Sequence, residues 1–129
     1  MVHGLLPFPE RFEYLLDTAQ AVRMFPHLPQ ALCFVGHTHV PQIFINEKDI
    51  VIALNATTLT LEETKKYIVN VGSVGQPRDG NPKAAYCIFD SEKKSLEIRR
   101  VPYPVEEAQA RILAAGLPAY LARRLAVGL

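Results

Sequence analysis

The stretch that decides the fold is Ala31-Leu32-Cys33-Phe34-Val35-Gly36-His37-Thr38-His39. Its first five residues form a short, continuous apolar run, which is typical of a strand buried on both faces in the interior of a sheet. The glycine that follows permits a sharp exit from the strand. Because α/β proteins place their sites at the carboxyl edge of the sheet, this stretch predicts a functional site around His37 and His39.

The segments around this strand predict a mixed α/β chain. Upstream, apolar residues recur at helical spacing between Pro9 and Pro26, which predicts a helix over 10–25 whose apolar face is Phe12, Leu15, Leu16, Ala19 and Val22. Downstream, apolar and β-branched runs predict strands at 42–45, 50–54, 57–61, 67–71, 84–89 and 96–101, with turns at 46–49, 62–66 and 90–94. A long loop covers 72–82, and two helices begin at Pro104 and Pro118. Since two or three helices cannot cover both faces of so extensive a sheet, we expect the chain to pack on more protein than it contains.

Composition excludes several classes of protein. The chain has 129 residues, 49% of them hydrophobic and 21% charged, which excludes wholesale disorder, and no apolar run is long enough to span a membrane. The first residues lack the pattern of a signal peptide, and two cysteines in apolar runs are typical of buried free thiols, so we expect a cytoplasmic protein.

Charge is divided unevenly between the two halves of the chain. Residues 1–64 hold 3 Lys and Arg against 7 Asp and Glu, a net −4, whereas residues 65–129 hold 11 against 6, a net +5. The basic residues are scattered as pairs beside acids or apolar runs, and this pattern disfavours a nucleic-acid partner, which needs one dense basic face.

The histidines leave two interpretations open. His37 and His39 stand two residues apart in an extended loop and therefore point to opposite sides, so they would not chelate one ion but could each ligate one of two adjacent ions. Surface or core-edge histidines are the alternative. His3, in Val2-His3-Gly4, has the same local form, while His27 is interpreted as a surface residue.

The long loop also has two interpretations. The run Gly72-Ser73-Val74-Gly75 can offer backbone N–H groups to an anion, and Arg78 could pair with a phosphate. Alternatively, Asp79-Gly80 is simply a turn, and Arg78 pairs with Asp79 or with a neighbouring strand. No histidine or acid is spaced to activate Ser73 as a nucleophile.

Taken together, three motifs carry a resemblance to a known family. Val2-His3-Gly4, Gly36-His37-Thr38-His39 and the stretch from Asn70 to Gly80 resemble the C-terminal half of the calcineurin-like metallophosphoesterases, closest to the small bacterial and archaeal diadenosine tetraphosphatase-like branch. The resemblance implies an α/β fold that is half of an α/β/β/α sandwich, with a mixed, mostly antiparallel sheet and flanking helices. Residues 1–129 would then be the C-terminal portion of a single domain.

The resemblance also implies roles for individual residues. His3 and His37 would ligate one metal ion and His39 the other, and Arg78 would bind substrate. The family uses two divalent ions, among manganese, iron, zinc, nickel and cobalt, to clamp a phosphoester during hydrolysis.

The sequence departs from the family in its remaining ligands. The family's Asp-x-His, Gly-Asp-x-x-Asp and Gly-Asn-His motifs do not occur in residues 1–129. Without their carboxylates, three neutral imidazoles cannot balance two divalent ions, so we expect an incomplete or empty site and no activity from this chain alone. The parent protein would be a metal-dependent phosphoester hydrolase, and this chain would pair with the missing N-terminal half or with itself. The alternative is a non-catalytic interaction scaffold of the same fold.

Overall fold

The computed structural model describes residues 1–129, and its regular elements follow one another along the whole chain. In order they are α1 (Thr18–Met24), β1 (Leu32–Val35), β2 (Gln42–Glu47), β3 (Ile50–Leu54), β4 (Thr58–Thr60), β5 (Lys66–Asn70), β6 (Ala84–Asp90), β7 (Ser95–Val101), α2 (Val105–Ala114) and α3 (Ala119–Arg123). Short 3₁₀ turns lie at Pro9–Arg11, Phe25–His27 and Arg124–Ala126.

The larger sheet has four strands in the order β1-β5-β2-β3. Strand β5 is parallel to β1 and antiparallel to β2, and its last four residues are buried. Neighbouring residues of β5 face opposite sides of the sheet, so Ile68 packs beneath α1 while Tyr67 and Val69 face the second sheet.

The smaller sheet has three antiparallel strands in the order β4-β7-β6. Leu96 and Ile98 of β7 pack in one buried cluster with Ile43, Ile45, Tyr67 and Val69 of the larger sheet. A second buried cluster joins α1 and the loops beside it to the opposite face of the larger sheet. The layers are therefore a helix, a sheet and a second sheet, and the prediction of a mixed α/β fold with flanking helices is confirmed.

Two of the three turns that the sequence predicts form hairpins. Glu47 pairs with Ile50, and the two residues between them, Lys48 and Asp49, have φ angles of 50° and 66°. A two-residue turn with both residues left-handed matches the right-handed twist of the strands that it joins. The β6–β7 hairpin closes around 91–94, where the Asp90 carboxylate accepts hydrogen bonds from the amides of Glu92 and Lys93.

The prediction of one helix over 10–25 is wrong in its first half. The chain makes a 3₁₀ turn at Pro9–Arg11, which ends at a left-handed Phe12, and then runs irregularly to Asp17. At Asp17 a capping box forms, since its carboxylate accepts from the amide of Gln20 and the Gln20 side chain accepts from the amide of Asp17. This capping box begins α1 at Thr18. Of the predicted apolar face only Leu15 is buried, and Phe12, Leu16 and Val22 are at least half exposed.

Two predictions about the strands are also wrong. Strand β1 is at the edge of its sheet, and β5 is the interior strand. On its outer side β1 meets only the backbone of residues 2–3, through hydrogen bonds from Val2 to Phe34 and from Gly36 to His3. Strands β4 and β5, expected to form a pair, lie in different sheets, because β4 pairs with β7.

The two C-terminal helices pack on each other and lead the chain back to the long loop. Gly80 donates a backbone hydrogen bond to Gly128, and the close approach of Asn81 leaves no room for a Cβ atom at Gly128. The same loop is fixed at Asp79 by an ion pair with Arg100 of β7. None of the helices is long and apolar enough to cross a membrane.

The capping box at Asp17 generates a prediction about stability. We expect Asp17→Ala to lower the free energy of unfolding by about 1 kcal/mol, because the first turn of α1 loses its side-chain acceptor. Urea denaturation measures the effect. Glu13→Ala is the control, since Glu13 lies in the irregular segment, and equal effects of the two substitutions would contradict a helix that begins at Thr18.

Candidate functional site

The loop that carries His37 and His39 has to cross the end of a strand. It joins β1 to β2, which are separated in the sheet by β5, so the loop spans two strand spacings, about 9–10 Å. Both histidines have left-handed backbones, with φ angles of 70° and 62°. Residues other than glycine seldom adopt this conformation, which costs about 1–3 kcal/mol each and is concentrated at functional sites.

Asn70 supports this loop from below. It is the last residue of β5, is paired with Val35 and with Gln42, and is fully buried. Its side-chain amide donates to the Gly36 carbonyl and to the Thr38 hydroxyl, both at 2.8 Å. The crossing loop is therefore fixed to the strand that it passes over.

His3 and His37 form a pair. Nε2 of His3 lies 3.1 Å from Nδ1 of His37. Residues 2–3 run beside β1 and bring His3 to the same sheet edge as the crossing loop. The structure thus brings together two histidines that are 34 residues apart in the sequence.

Two aromatic residues enclose this pair. The ring of Tyr14 stacks on the His37 ring, with centroids 4.2 Å apart and planes inclined by 24°. Phe12 lies 5.9 Å from the His3 ring and 5.8 Å from the His37 ring. Both aromatics stay partly exposed, so the segment predicted as a helix is instead an aromatic strap, residues 12–14, over the histidines.

His39 is oriented by a different contact. Its Nδ1 lies 2.8 Å from the carbonyl oxygen of Gln76, and because a carbonyl only accepts, Nδ1 carries the proton and donates. Burial lowers the pKa of His39, and the charges of Arg78, His37 and His3 lower it further, against the Gln76 hydrogen bond that raises it. His39 is therefore neutral at pH 7, with the lone pair of Nε2 free to bind a ligand.

Arg78 is held close to His39. Its amide donates to the His39 carbonyl at 3.2 Å, and its guanidinium Nη2 donates to Oε1 of Gln76 at 2.7 Å. The Nε atom is buried without a hydrogen-bond partner. Of the alternatives for Arg78, pairing with Asp79 is wrong, since Asp79 pairs with Arg100.

The three histidines line one open groove of about 740 Å³ between the two sheets. Its other walls are largely apolar, and they include Phe34 of β1, Phe89 of β6 and Val74 of the long loop. Arg78 does not line this groove. The groove continues along the outer edge of β1 into a second hollow of about 440 Å³, which shares Met1, Phe34 and Phe89.

The donor set fits part of a metal site. Imidazole nitrogens bind zinc at about 2.0–2.1 Å, so two ligands of one tetrahedral ion lie about 3.3 Å apart. The nitrogens of His3 and His37, 3.1 Å apart, are close to that spacing. The hydrogen bond from His39 to a backbone carbonyl is the outer contact typical of metal-binding histidines. However, no three His, Cys, Asp or Glu side chains form a group that could hold an ion.

Sequence reasoning missed the supporting residues. Nothing in the pattern indicates left-handed histidines or the strap of Phe12 and Tyr14. Asn70 had a usable signal, because a polar residue that ends a buried strand needs partners for its amide. The assignments of His3, His37, His39 and Arg78 to metal and substrate stay predictions.

The chain is similar along almost its whole length to a much longer protein. It is 43% identical over 127 residues to an uncharacterised protein of Methanocaldococcus jannaschii, MJ0912, and the match covers 98% of this chain but 50% of that relative. No family model matches the chain.

Two solved structures share the fold. A metallophosphoesterase from Sphaerobacter thermophilus matches with a TM-score of 0.86 and 38% identity, over 99% of this chain and 54% of that one. The hypothetical protein PH1004 from Pyrococcus horikoshii matches with a TM-score of 0.69 at 20% identity, over 99% and 45%, which supports the fold alone. The chain therefore has a metallophosphoesterase fold and spans about half the length of the proteins that it matches.

The geometry of the long loop generates a prediction. Gly72 has a φ of 78°, and a Cβ atom there would lie 2.7 Å from Pro41 and 2.8 Å from Ala85. We expect Gly72→Ala to lower the free energy of unfolding by about 2 kcal/mol or more, from backbone strain and overpacking.

Gly75 of the same loop provides the matched control. A Cβ atom at Gly75 meets nothing within 4 Å. In urea denaturation we expect Gly75→Ala to stay within about 0.5 kcal/mol of the wild type. Similar stabilities for the two variants would contradict the described path of the loop.

Proposed function

We propose that this chain carries the three-histidine part of a dinuclear metal site in a phosphoester hydrolase, and that the complete site needs protein beyond residues 1–129. The observation that carries the proposal is the convergence of His3 and His37, with nitrogens 3.1 Å apart, in a chain with a metallophosphoesterase fold. The diadenosine tetraphosphatase-like branch, suggested by the order of the three motifs, is part of the same proposal.

In the proposed site His3 and His37 share one ion, through Nε2 and Nδ1, and His39 binds the other through Nε2. The Gln76 carbonyl supports the role of His39, because it holds the ring in the tautomer that leaves Nε2 unprotonated. Divalent ions such as zinc, manganese, iron, nickel or cobalt supply Lewis-acid stabilisation of the phosphoryl oxygens when bound.

Arg78 is the proposed substrate contact. The guanidinium donates through Nη2 to Gln76 and makes no other hydrogen bond, so it retains hydrogen-bonding capacity beside His39. A phosphoryl oxygen on that side of His39 would satisfy such a donor. Arg78 would then neutralise charge on a phosphoester substrate.

The proposed partner is the half of the domain that supplies the carboxylates. The outer edges of β1 and β6 are unpaired by any strand and lie on one flank, where the rings of Phe34 and Phe89 are 5.9 Å apart. The groove that ends at the histidines runs along this flank. A segment that packs on this flank would cover the apolar surface and reach the histidines. A second copy of the chain is the alternative occupant.

One observation favours a different function. No carboxylate lies with the histidines in a group that could hold a metal ion, so the same fold could serve as a non-catalytic interaction scaffold. The two functions differ in whether the completed domain binds metal and turns over substrate.

The metal assignment gives a first prediction. In calorimetric titrations of the full chain with Zn²⁺, we expect weak binding, preferred over Mn²⁺, because two imidazoles bind borderline-soft ions. His37→Ala should reduce the affinity by about tenfold or more, and more than His39→Ala does, because His37 belongs to the converging pair.

The exposed His27, outside the site, provides the control, and His27→Ala should bind like the wild type. A larger loss in His39→Ala would overturn the assignment of ligands to ions. Absence of binding by the wild type would show that the pair holds no metal by itself.

The second prediction concerns activity. With Mn²⁺, p-nitrophenyl phosphate and bis-p-nitrophenyl phosphate, we expect no metal-dependent turnover from this chain, because no carboxylate completes the site. Mixing it with the part of the Sphaerobacter thermophilus protein that it does not match should give a complex with turnover that His37→Ala abolishes.

Three outcomes separate the interpretations. Turnover by the chain alone, lost in His39→Ala, would overturn the half-site proposal. A stable complex without metal or turnover would support the scaffold. Light scattering that shows a stable monomer, unaffected by the added part, would contradict the proposed docking flank.

A further inference from the structure

The side chain of Asn70 makes more hydrogen bonds than the packing of the sheet requires. Its side chain has no exposed surface, and each of its polar atoms has a partner in the two loops that meet at this sheet edge. Nδ2 donates to the Gly36 carbonyl and to the Thr38 hydroxyl, both at 2.8 Å, and Oδ1 accepts from the Gly72 amide at 3.1 Å. A buried amide is costly unless it is satisfied, so these contacts are what makes Asn70 tolerable there.

The residue that Asn70 holds lies between the two strained histidines. Thr38 is buried and stands between the left-handed His37 and His39. Its amide donates to the Gly36 carbonyl at 2.9 Å, and its hydroxyl accepts from the Val40 amide at 3.1 Å. Strained residues persist only where the surroundings determine their conformation, and here those surroundings are Thr38 and Asn70.

Asn70 also acts on the loop that carries the Gln76 carbonyl, the contact that orients the His39 ring. Through Gly72 it fixes the start of the long loop, four residues before Gln76, whose carbonyl holds the His39 ring. The backbone of His39 depends on Asn70 through Thr38, and the ring depends on it through Gly72. One side chain thus sets the position of His39 from both sides.

We propose that Asn70 is a positioning residue of the histidine site, which acts through Thr38 and Gly72 to aim His37 and His39. The inference rests on the proposed function for what the histidines bind, but the clamp itself, defined as Asn70, Thr38 and Gly72, is independent of any metal. Asn70 makes no hydrogen bond to either imidazole, so it is a positioning residue and not a ligand.

The first measurement is made without metal. Amide hydrogen exchange of Thr38, Val40 and Gly72 reports the clamp, and amides of β2 and β5 report the sheet. In Asn70→Asp, which keeps the shape but loses the amide donors, we expect exchange of the clamp amides to accelerate about tenfold more than that of the sheet amides, which report the loss of global stability. An equal acceleration of clamp and sheet amides would show a purely structural residue and overturn the proposal.

Two variants of Thr38 keep the test decisive where Asn70→Asp does not fold. Thr38→Val removes the hydroxyl at constant shape and should accelerate exchange at Val40 as Asn70→Asp does. Thr38→Ser retains the hydroxyl and should restore the wild-type protection. Equal behaviour of the valine and serine variants would overturn the clamp.

The second measurement is calorimetric titration with Zn²⁺. We expect about tenfold weaker binding for Asn70→Asp and Thr38→Val, and wild-type binding for Thr38→Ser, as for the loss of other outer contacts of metal ligands. The control is Val69→Ala, at the neighbouring buried position of β5, which lowers stability without touching the clamp and should bind Zn²⁺ as the wild type does.

The two measurements test the positioning role and the metal assignment independently. Wild-type affinity in Asn70→Asp would refute positioning and leave the metal site standing. A wild type that binds no Zn²⁺ would refute the metal assignment, and the exchange data would still decide whether Asn70 holds the histidine loop.

Discussion

The crossing of β5 by the β1–β2 loop is the constraint on which the site depends. Strand β5 is paired on both sides, and its last residue lies opposite the end of β1 and the start of β2. The loop that joins those strands must bridge two strand spacings in six residues, 36–41, over the buried side chain of Asn70. This sequence makes the crossing with two left-handed histidines, one on each side of the buried Thr38.

Local patterns in the sequence were sufficient for much of the fold. The strands and both tight hairpins were predicted because alternation, turn residues and short spacing are properties of neighbouring residues. The pairing of β4 with β7 could not be predicted in this way, since it joins residues 35 to 39 positions apart. The helix over 10–25 failed for another reason. The apolar residues of 10–25 have helical spacing, but the helix begins only at Thr18, after the Asp17 capping box. Phe12 and Tyr14 lie before this helix and contact the His37 ring instead.

The candidate site likewise combines residues that the sequence indicates with contacts that only the fold creates. His37 and His39 stand out because they follow a buried strand and a glycine, whereas His3 stands out only through the family resemblance, and the fold then brings it 3.1 Å from His37. Asn70 is visible in the sequence as a polar residue that ends a buried strand, but its partners are not, and the Gln76 contact is made by a backbone carbonyl. The sequence therefore shows which histidines belong to the candidate site, but it does not show the loop crossing that orients them.

Charge balance links the chemistry of the site to association in the proposed function. Three neutral imidazoles leave the charge of two divalent ions uncompensated, so tight binding needs carboxylates from a partner on the flank beside Phe34 and Phe89. Since the ions would then bind the complex better than the separate chains, they would stabilise the complex by mass action, by about 1.4 kcal/mol for each tenfold excess over the dissociation constant. The apolar flank beside β1 and β6 lies along the groove that ends at the histidines. Covering that flank and completing the ligand set would therefore be one event, in which packing on the flank orders the carboxylates and metal binding holds the two parts together.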